Sequence, residues 1–261
     1  PKGGPRDGMI RTKADLDWVA AMMAAGYTFN NNLKNIGSNG SNLWYGDLIM
    51  DDVNGDGKYG NDDDREFTGK SSTPKVTLGL NITAAWRGFD LNMTWSGRFG
   101  GYHYLNSKGA NGSMITNVGD ALPGDAWNKF YFYDSEASHA GIIKDENGTI
   151  IGSSYDPATD PNANISNEYP RLLTSGGTTP SNTFYLYNTS FFKLKSLQIG
   201  YTLPKKWIAP AKISNLRVFV SGENLLTIKS SRFPGVDPEL GSSLAVYPIA
   251  RMFSGGLSVT F

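Results

Sequence analysis

The chain contains no cysteine and no surplus of charge of either sign. The absence of cysteine excludes disulfides, thiolate metal sites and cysteine nucleophiles. Its 24 basic and 24 acidic side chains cancel, so the overall charge gives no reason to expect a nucleic-acid partner. No apolar run approaches the ~20 residues that a membrane-spanning helix needs, which excludes a helical membrane protein.

An initiator methionine and a secretory leader are missing as well, because the sequence begins at Pro1. Either processing removed them or the true N-terminus lies elsewhere, and we favour the second because of the strand count given below. The sequence is rich in glycine and aromatic residues, with 31 Gly, 13 Tyr, 13 Phe and 6 Trp among 261 residues. That length is sufficient for one or two ordinary domains.

A short helix is predicted near the start of the chain. Thr12 can act as its N-cap with Asp15 three residues later, and apolar residues recur at helical spacing from Leu16 until Gly26. A polar stretch rich in Asn and Gly follows at 30–42, and then an acidic run at 51–64.

The strongest pattern is an alternation with period two that begins at Val76 and continues to Phe99. It predicts two strands of 11 residues, at 76–86 and 89–99, each with one apolar and one polar face. A two-residue turn at 87–88 makes them a hairpin. The turn sets a register in which all apolar residues share one face, with these pairs: Trp86 with Phe89, Ile82 with Met93 and Leu80 with Trp95.

Three further strands are predicted towards the end of the chain. They run from about Phe191 to Leu203, from about Leu216 to Ile228, and from Phe253 to Phe261. In the first of these, Phe192 and Leu194 are out of phase with Leu197 and the residues after it. We therefore expect either a β-bulge or a portion of the strand that projects beyond a bilayer.

The alternation fits both a soluble β-sandwich and a membrane barrel, because either can cover the apolar face. Connection lengths favour the barrel. Short and long connections alternate along the chain. In order, they are a turn of two residues, a stretch of roughly 80 residues, the turn 204–211 and a longer loop at about 229–247. Outer-membrane barrels have short periplasmic turns and long extracellular loops, and aromatic residues gather at their interfaces. Trp86, Phe89, Tyr201 and Trp207 flank the short turns.

Several segments, spread from about residue 46 to the end, are distinctive. They are GD at 46–47 with DVNGDG at 52–57, SFFKLKSLQIGYTLP at 190–204, VFVSGENLL at 218–226, PGVDPE at 234–239, YPIAR at 247–251 and GGLSVTF at 255–261. They resemble segments of the SusC/RagA family of TonB-dependent outer-membrane transporters. Leu226 stands where the family usually has Phe. Each segment alone is a weak signal, but together they are specific.

The resemblance implies an all-β fold, namely the C-terminal strands of a transmembrane antiparallel β-barrel, about five of an implied 22. On this interpretation 1–72 is an extracellular loop region with the helix and an acidic loop, and 73–261 holds barrel strands with a large extracellular loop at 105–183. It also implies an N-terminal plug, energy from TonB through that missing part, a lipoprotein of the SusD type and a glycan or peptide cargo. The location would be the bacterial outer membrane, crossed several times.

Five strands cannot close a barrel, and an open edge cannot lie in hydrocarbon, because its N–H and C=O groups would lack partners. We therefore expect either a nicked fragment held by the rest of the transporter or the end of a longer polypeptide. The first and last strands would pair with sequence outside this chain.

The closing residues resemble the signal that the barrel assembly machinery reads, with Gly256, Val259 and Phe261 in the pattern. The alternative is an ordinary last strand. If the signal is real, Phe261 is periplasmic, and the long loops are extracellular.

The acidic run has the spacing of a calcium-binding loop. Asp52, Asn54, Asp56 and Asp63 occupy positions 1, 3, 5 and 12, and Lys58 at position 7 would contribute its backbone carbonyl. Calcium prefers such oxygen ligands, so we predict a structural Ca²⁺ that stiffens this loop. Asp62 and Asp64 compete as ligands, and the alternative is a solvated acidic turn.

No catalytic site is predicted. The two histidines, His103 and His139, lack metal-ligand spacing, and no phosphate-binding or dinucleotide motif is present. The large loop is rich in aromatic residues that can bind sugar or pack on one another: Trp127, Phe130, Tyr131, Phe132, Tyr133, Tyr155 and Tyr169. Two rivals to the transporter remain, a soluble calcium-stabilised β-sandwich that binds carbohydrate and a fragment of a secreted hydrolase.

Overall fold

A computed structural model describes residues 4–5, 7–30, 32–39, 41–104, 129–165, 169–171, 182–233, 237–240 and 249–261. The described residues form mainly β-strands. Their helices are α1 (Lys13–Ala24), α2 (Ser135–Ala140) and α3 (Lys205–Ile208). The strands are β1 (Thr28–Phe29), β2 (Lys58–Tyr59), β3 (Val76–Trp86), β4 (Phe89–Phe99), β5 (Tyr102–Tyr104), β6 (Phe130–Tyr131), β7 (Ile142–Lys144), β8 (Ile150–Ser153), β9 (Tyr169–Arg171), β10 (Leu186–Asn188), β11 (Phe191–Thr202), β12 (Asn215–Lys229) and β13 (Met252–Thr260). None of the helices in the described ranges is long and apolar enough to cross a membrane.

The chain divides into two compact units. Unit 1 comprises 1–68 and 105–185, and unit 2 comprises 69–104 and 186–261. The stretch between β4 and β11, most of which the sequence analysis assigned to one large loop, carries short strands and α2 where it is described. Its aromatic side chains supply the apolar surface that such short elements need in order to pack.

Helix α1 of unit 1 forms as predicted. The Thr12 hydroxyl accepts a hydrogen bond from the Asp15 N–H, and the Asp15 carboxylate accepts one from the Thr12 N–H at 2.9 Å, which completes a capping box. Leu16 and Val19 face inwards and are fully buried. The helix ends before Gly26, whose φ of +96° suits glycine.

An aromatic cluster forms another part of the unit 1 core. Trp44, Tyr45 and Tyr131 are almost completely buried, and the Tyr45 ring makes edge-to-face contacts with Tyr133 and Tyr155. The polar atoms have partners, because the Trp44 indole N–H donates to Ser138 Oγ at 2.8 Å and the Tyr45 hydroxyl donates to the Tyr155 carbonyl at 2.6 Å. The aromatic residues described in the long stretch thus largely pack on unit 1 itself; Phe132 is exposed, and Trp127 lies outside the described residues.

Unit 2 is built on an antiparallel sheet with the strand order β13-β12-β11-β4-β3. The predicted hairpin is confirmed: Trp86 pairs with Phe89, Ile82 with Met93 and Leu80 with Trp95. Arg87 and Gly88 both have positive φ, +48° and +90°, as a type I′ turn requires. The other three strands lie within two residues of their predicted bounds.

A β-bulge lies in β11 where the phase of the sequence pattern changes. Leu194 pairs with Trp95 and Ser196 pairs with Thr94, so Lys195 is the additional residue on β11. The bulge returns Phe192 and Leu194 to the same sheet face as Leu197. Of the two expected explanations for the phase change, the bulge is confirmed.

The two faces of this sheet differ in chemistry. One face carries the apolar residues, and many of them are exposed, from 37% for Phe99 to 78% for Phe253. The other carries Asn, Thr, Ser, Gln and charged side chains, including Asp90 and Arg217. Within the described residues, no second sheet covers the apolar face.

Candidate functional site

The acidic loop of unit 1 closes through its own backbone N–H groups. Asp52 Oδ1 accepts hydrogen bonds from the N–H groups of Gly55 and Asp56 at 2.7 and 3.1 Å, and Oδ2 accepts one from Gly57 at 3.0 Å. The φ values of Gly55 and Gly57, +78° and +83°, allow the chain to turn around this carboxylate.

The next predicted ligands continue this pattern at alternate positions. Asn54 Oδ1 accepts from the Asp56 N–H at 2.9 Å, and Asp56 Oδ1 accepts from the Lys58 N–H at 2.8 Å. The side chains at the predicted ligand positions 1, 3 and 5 therefore all face the loop backbone. Each is an oxygen donor, which suits a hard cation.

The closing residue of the loop is Asp64, one position beyond the predicted Asp63. Asp64 Oδ1 accepts from the Val53 N–H at 2.8 Å, and Oδ2 accepts from the N–H groups of Gly60 and Asn61 at 2.8 and 3.1 Å. Asp63 is exposed. Asn61 caps the short 3₁₀ helix Asp62–Asp64 and forms a capping box with Asp64, so an Asn-x-x-Asp pattern was the available sequence signal.

These hydrogen bonds affect the acidity of Asp64. Partial burial acts to raise the pKa of its carboxyl group, but the N–H donors from Val53, Gly60, Asn54 and Asn61 outweigh this effect and hold it below its ordinary value. In the part of the chain that the structure describes, no three acidic or histidine side chains converge closely enough to hold a metal ion by themselves. The loop has calcium-type donor chemistry, and the structure shows those donors bonded to its own backbone.

The Gly46-Asp47 motif, also in unit 1, forms a buried ion pair. The Asp47 carboxylate accepts two hydrogen bonds from the Arg171 guanidinium, both at 2.7 Å, and a third from the Trp44 N–H at 2.8 Å. Both side chains are more than nine-tenths buried. Burial raises the pKa of Asp47, although Arg171 acts in the opposite direction. Burial alone would lower the pKa of Arg171, but the Asp47 carboxylate more than offsets that effect and raises it.

The polar face of the sheet in unit 2 carries a second ion pair. Arg217 Nε on β12 donates to Asp90 Oδ1 on β4 at 2.9 Å, and its guanidinium also donates to Gln198 Oε1 on β11 at 3.1 Å. Gly200 lies on β11 between the two charged residues, and a Cβ at this position would overlap both of them. The glycine therefore allows the pair to bridge the intervening strand.

A cluster of four charges lies at the other end of β11. The buried Lys193 ammonium contacts the carboxylates of Asp237 and Glu239, and Lys195 donates to Glu239 Oε1 at 2.6 Å. Burial acts to raise the pKa of Glu239, but Lys195 and Lys193 hold it below its ordinary value. The charges connect residues 237–240 to β11. Of the motif at 234–239, positions 234–236 lie outside the described residues, as do 247–248 of the motif at 247–251.

The predicted assembly-signal residues lie on or beside β13. Gly256 pairs with Phe219 on β12, and a Cβ on Gly256 would lie 2.5 Å from Phe219 Cζ. Val259 pairs with Leu216 and points to the apolar face, and Phe261 is 87% exposed. His103 and His139 lie in different units, in β5 and α2.

Comparisons with known proteins find similarity to TonB-dependent receptors. It is 26% identical over 235 residues to "TonB-dependent receptor P3" of Formosa agariphila, a match that covers 83% of this chain and 19% of that protein. It is 27% identical over 137 residues to "TonB-dependent receptor SusC" of Bacteroides thetaiotaomicron, covering 51% and 13%. The chain thus spans less than a fifth of the length of either curated relative. No protein-family profile matches it.

Solved structures give the same result for the fold. The RagAB peptide importer in its closed-closed state has a TM-score of 0.53 at 22% identity, covering 83% of this chain and 21% of that chain. The open-open state has a TM-score of 0.50 at the same identity and coverage. The predicted fold class, C-terminal strands of an antiparallel barrel, is confirmed. In the described residues the sheet is open, with β13 and β3 at its edges.

Proposed function

We infer that this chain, a SusC/RagA-like segment of a TonB-dependent transporter, forms part of an importer in the bacterial outer membrane. The observation that carries the proposal is the match of 83% of the chain to a TonB-dependent receptor. The uncovered apolar face of the sheet in unit 2 supports it independently.

The dimensions of the hairpin suit a bilayer. From Phe89 to Phe99, β4 extends over about 34 Å. At the tilt of about 40° that is usual in membrane barrels, it would span about 26 Å of membrane, close to the usual apolar band. Trp86, Phe89 and Tyr201 form one cross-strand row near one end of the strands, where aromatic residues meet lipid headgroups. Lipid therefore accounts for the apolar face better than a missing second sheet does.

The opposite face then lines the lumen. Its Asn, Ser, Thr and Gln side chains, and the Asp90–Arg217 pair, suit contact with water or with polar cargo. We propose nutrient import as the activity, with an oligosaccharide or peptide as cargo; the RagAB peptide importer supports the second class. The proposed partners are a SusD-like lipoprotein, the plug and remaining strands of the transporter, and TonB, which would act through the plug.

A pair of neighbouring substitutions tests the membrane assignment. Leu80 points to the apolar face near the middle of β3, and Asn81 points to the polar face. In the full-length protein, Leu80→Arg should cost about 2–4 kcal/mol at the bilayer midplane. It should abolish the heat-modifiable folded band in the outer-membrane fraction, whereas Asn81→Arg should retain it. Equal tolerance of both substitutions would contradict a lipid-facing surface.

We also propose a structural Ca²⁺ in the acidic loop, held by side-chain oxygens of Asp52, Asn54, Asp56 and Asp63 and by the Lys58 carbonyl. The oxygen-only donor set supports this assignment. Asp63→Asn in the full-length protein should weaken calcium binding, measured by titration calorimetry, and should reduce the protection by calcium of the loop from protease. Asp62→Asn is the matched control, because Asp62 pairs with Arg65 at 2.8 Å. Equal losses in the two variants would refute the predicted ligand position.

We propose that Gly256, Val259 and Phe261 form the signal that directs barrel assembly. Their place on β13 or directly after it, with Phe261 exposed, supports this role. Phe261→Ser in the full-length protein should slow the appearance of the folded band in a pulse-chase experiment. Val220→Ser, a substitution of an exposed apolar residue on β12, is the control. Assembly at the wild-type rate in Phe261→Ser would argue for an ordinary last strand.

A further inference from the structure

The short-turn end of the sheet carries positive charge without matching negative charge. It consists of the Arg87–Gly88 turn and the connection 203–214, which contains Lys205, Lys206 and Lys212 but no Asp or Glu. The nearest acidic side chain along the paired strands, Asp90, is already bound to Arg217. Four cations therefore gather at this end.

At the opposite end of the same sheet, the cations of β11 have carboxylate partners. There Lys193 and Lys195 are paired with the carboxylates of Asp237 and Glu239. Arg87, Lys205, Lys206 and Lys212 are instead exposed, and no ion pair joins them to any carboxylate within the described ranges. These four side chains are therefore available to an anion from outside the described part of the chain.

Backbone hydrogen bonds hold the two turns together. The Thr202 N–H donates to the Gly88 carbonyl at 2.7 Å, and the Leu203 N–H donates to the Leu216 carbonyl at 2.9 Å. Helix α3 is fixed by Ile208, which is 96% buried. The lysines of α3 thus extend from an anchored turn rather than from a free loop.

Aromatic side chains accompany these cations. Trp207 on α3 is 61% exposed, and the Arg87 guanidinium carbon lies 4.9 Å from the centre of the Trp86 ring. Trp86, Phe89 and Tyr201 form the last aromatic row of the apolar face beside the turns. Trp beside long cationic side chains at the edge of an apolar surface is the arrangement found at headgroup depth in a bilayer.

We propose that the short-turn rim, defined as Arg87, Lys205, Lys206 and Lys212 with Trp207, binds the phosphate groups of acidic phospholipids in the leaflet that faces these turns. This assignment rests on the proposed membrane function of the sheet. The unpaired cations attract an anion, and the adjoining apolar face and indole favour acyl chains, so an acidic lipid satisfies both. A free water-soluble anion would use only the cations.

The test uses the full-length protein in nanodiscs of phosphatidylcholine, with and without a phosphatidylglycerol fraction. Lipids retained after transfer to mild detergent are measured by native mass spectrometry. Wild type should retain phosphatidylglycerol preferentially. Lys205→Gln with Lys206→Gln should weaken this preference about fivefold for each lysine removed. Lys34→Gln with Lys144→Gln removes two exposed lysines of unit 1 and should leave the preference unchanged.

The outcomes separate the two proposals. Failure of the wild-type protein to insert into any bilayer would overturn both the importer and the lipid site. Insertion without a preference for phosphatidylglycerol, or an equal loss in both double variants, would overturn the lipid site alone. If inorganic phosphate displaced the retained lipid at equal concentration, the rim would be a simple phosphate site and the proposal would be wrong. We expect added salt to weaken the retention of phosphatidylglycerol in wild type and in the control variant, but not in the Lys205→Gln, Lys206→Gln variant.

Discussion

The two compact units use the same kinds of apolar side chain in opposite ways. In unit 1, Leu43 and Trp44 are completely buried. In unit 2, Leu257 and Trp86 are 68% and 69% exposed although they lie on regular strands. A core closed on itself is what folding in water produces, whereas a regular sheet with an uncovered apolar face requires another apolar medium.

The ion pairs of the two units also differ in burial. The Asp47–Arg171 pair of unit 1 is enclosed and fully hydrogen-bonded, while the Asp90–Arg217 pair of unit 2 remains about a quarter exposed on the polar face. Unit 1 thus encloses this ion pair with its hydrogen bonds made, and unit 2 keeps Asp90 and Arg217 on the face away from the apolar one. The comparison shows an apolar core closed on itself in unit 1 and an uncovered apolar face in the described residues of unit 2, which supports the proposed contact of unit 2 with lipid.

The largest expected loss of stability comes from breaking the buried ion pair of unit 1. Asp47→Ala leaves the Arg171 guanidinium buried without its partner, which should destabilise unit 1 by about 3–5 kcal/mol. In the full-length protein, amide hydrogen exchange of α1 should accelerate accordingly. Adding Arg171→Met should recover much of the loss, because no unpaired charge remains.

An exposed ion pair supplies the control for that experiment. Arg11 and Asp7 interact at 2.6 Å on the surface, so Asp7→Ala should cost about 1 kcal/mol or less. Equal effects of the Asp7 and Asp47 substitutions would show that the interior of unit 1 is accessible to water, and the contrast between the units would fail.

A smaller loss of stability is expected in unit 2 from a substitution that affects a single close contact on β13. Gly256→Ala forces its new methyl group against the Phe219 ring and should cost about 1–3 kcal/mol through overpacking. Gly255→Ala is a matched control one residue away, since its Cβ would meet only the Phe219 carbonyl oxygen at 3.7 Å. The melting temperature of the folded band on gels should fall for the first variant only. A fall for both variants would mean that β13 tolerates no added side chain at either position. The contact of Gly256 with Phe219 would then not be the specific cause.

Local patterns allowed much of unit 2 to be predicted. The register of β3 and β4 followed from period-two alternation and a two-residue turn, both contained within 24 residues. The bulge at Lys195 was signalled by a phase change in the apolar pattern. Helix α1 was predictable for the same reason, because its capping box lies within four residues.

Unit 1 was harder to predict because its decisive contacts are distant in sequence. Asp47 and Arg171 are separated by 124 positions, and nothing near Arg171 in the sequence marks it as a partner. Nor did the aromatic residues of the long stretch indicate that Tyr131 would bond to the Arg11 carbonyl, 120 positions away. In the acidic loop, the calcium-type spacing favoured Asp63 over the competing Asp62 and Asp64, and it did not predict that Asn61 and Asp64 form a capping box.

The smallest expected effect concerns the charge cluster at the end of β11. Because the pKa of Glu239 is lowered in the folded protein, its contribution to stability is present above its ordinary value of about 4.3 and is lost as the pH falls through the lowered value. Hydrogen exchange of residues 237–240 should therefore accelerate, relative to the intrinsic chemical rate, only below about pH 4. Glu239→Gln should remove this pH dependence, and Glu223→Gln on β12 should not. If residues 237–240 were equally protected on both sides of that pH, the pairing of Glu239 with Lys193 and Lys195 would not be what holds them to the sheet.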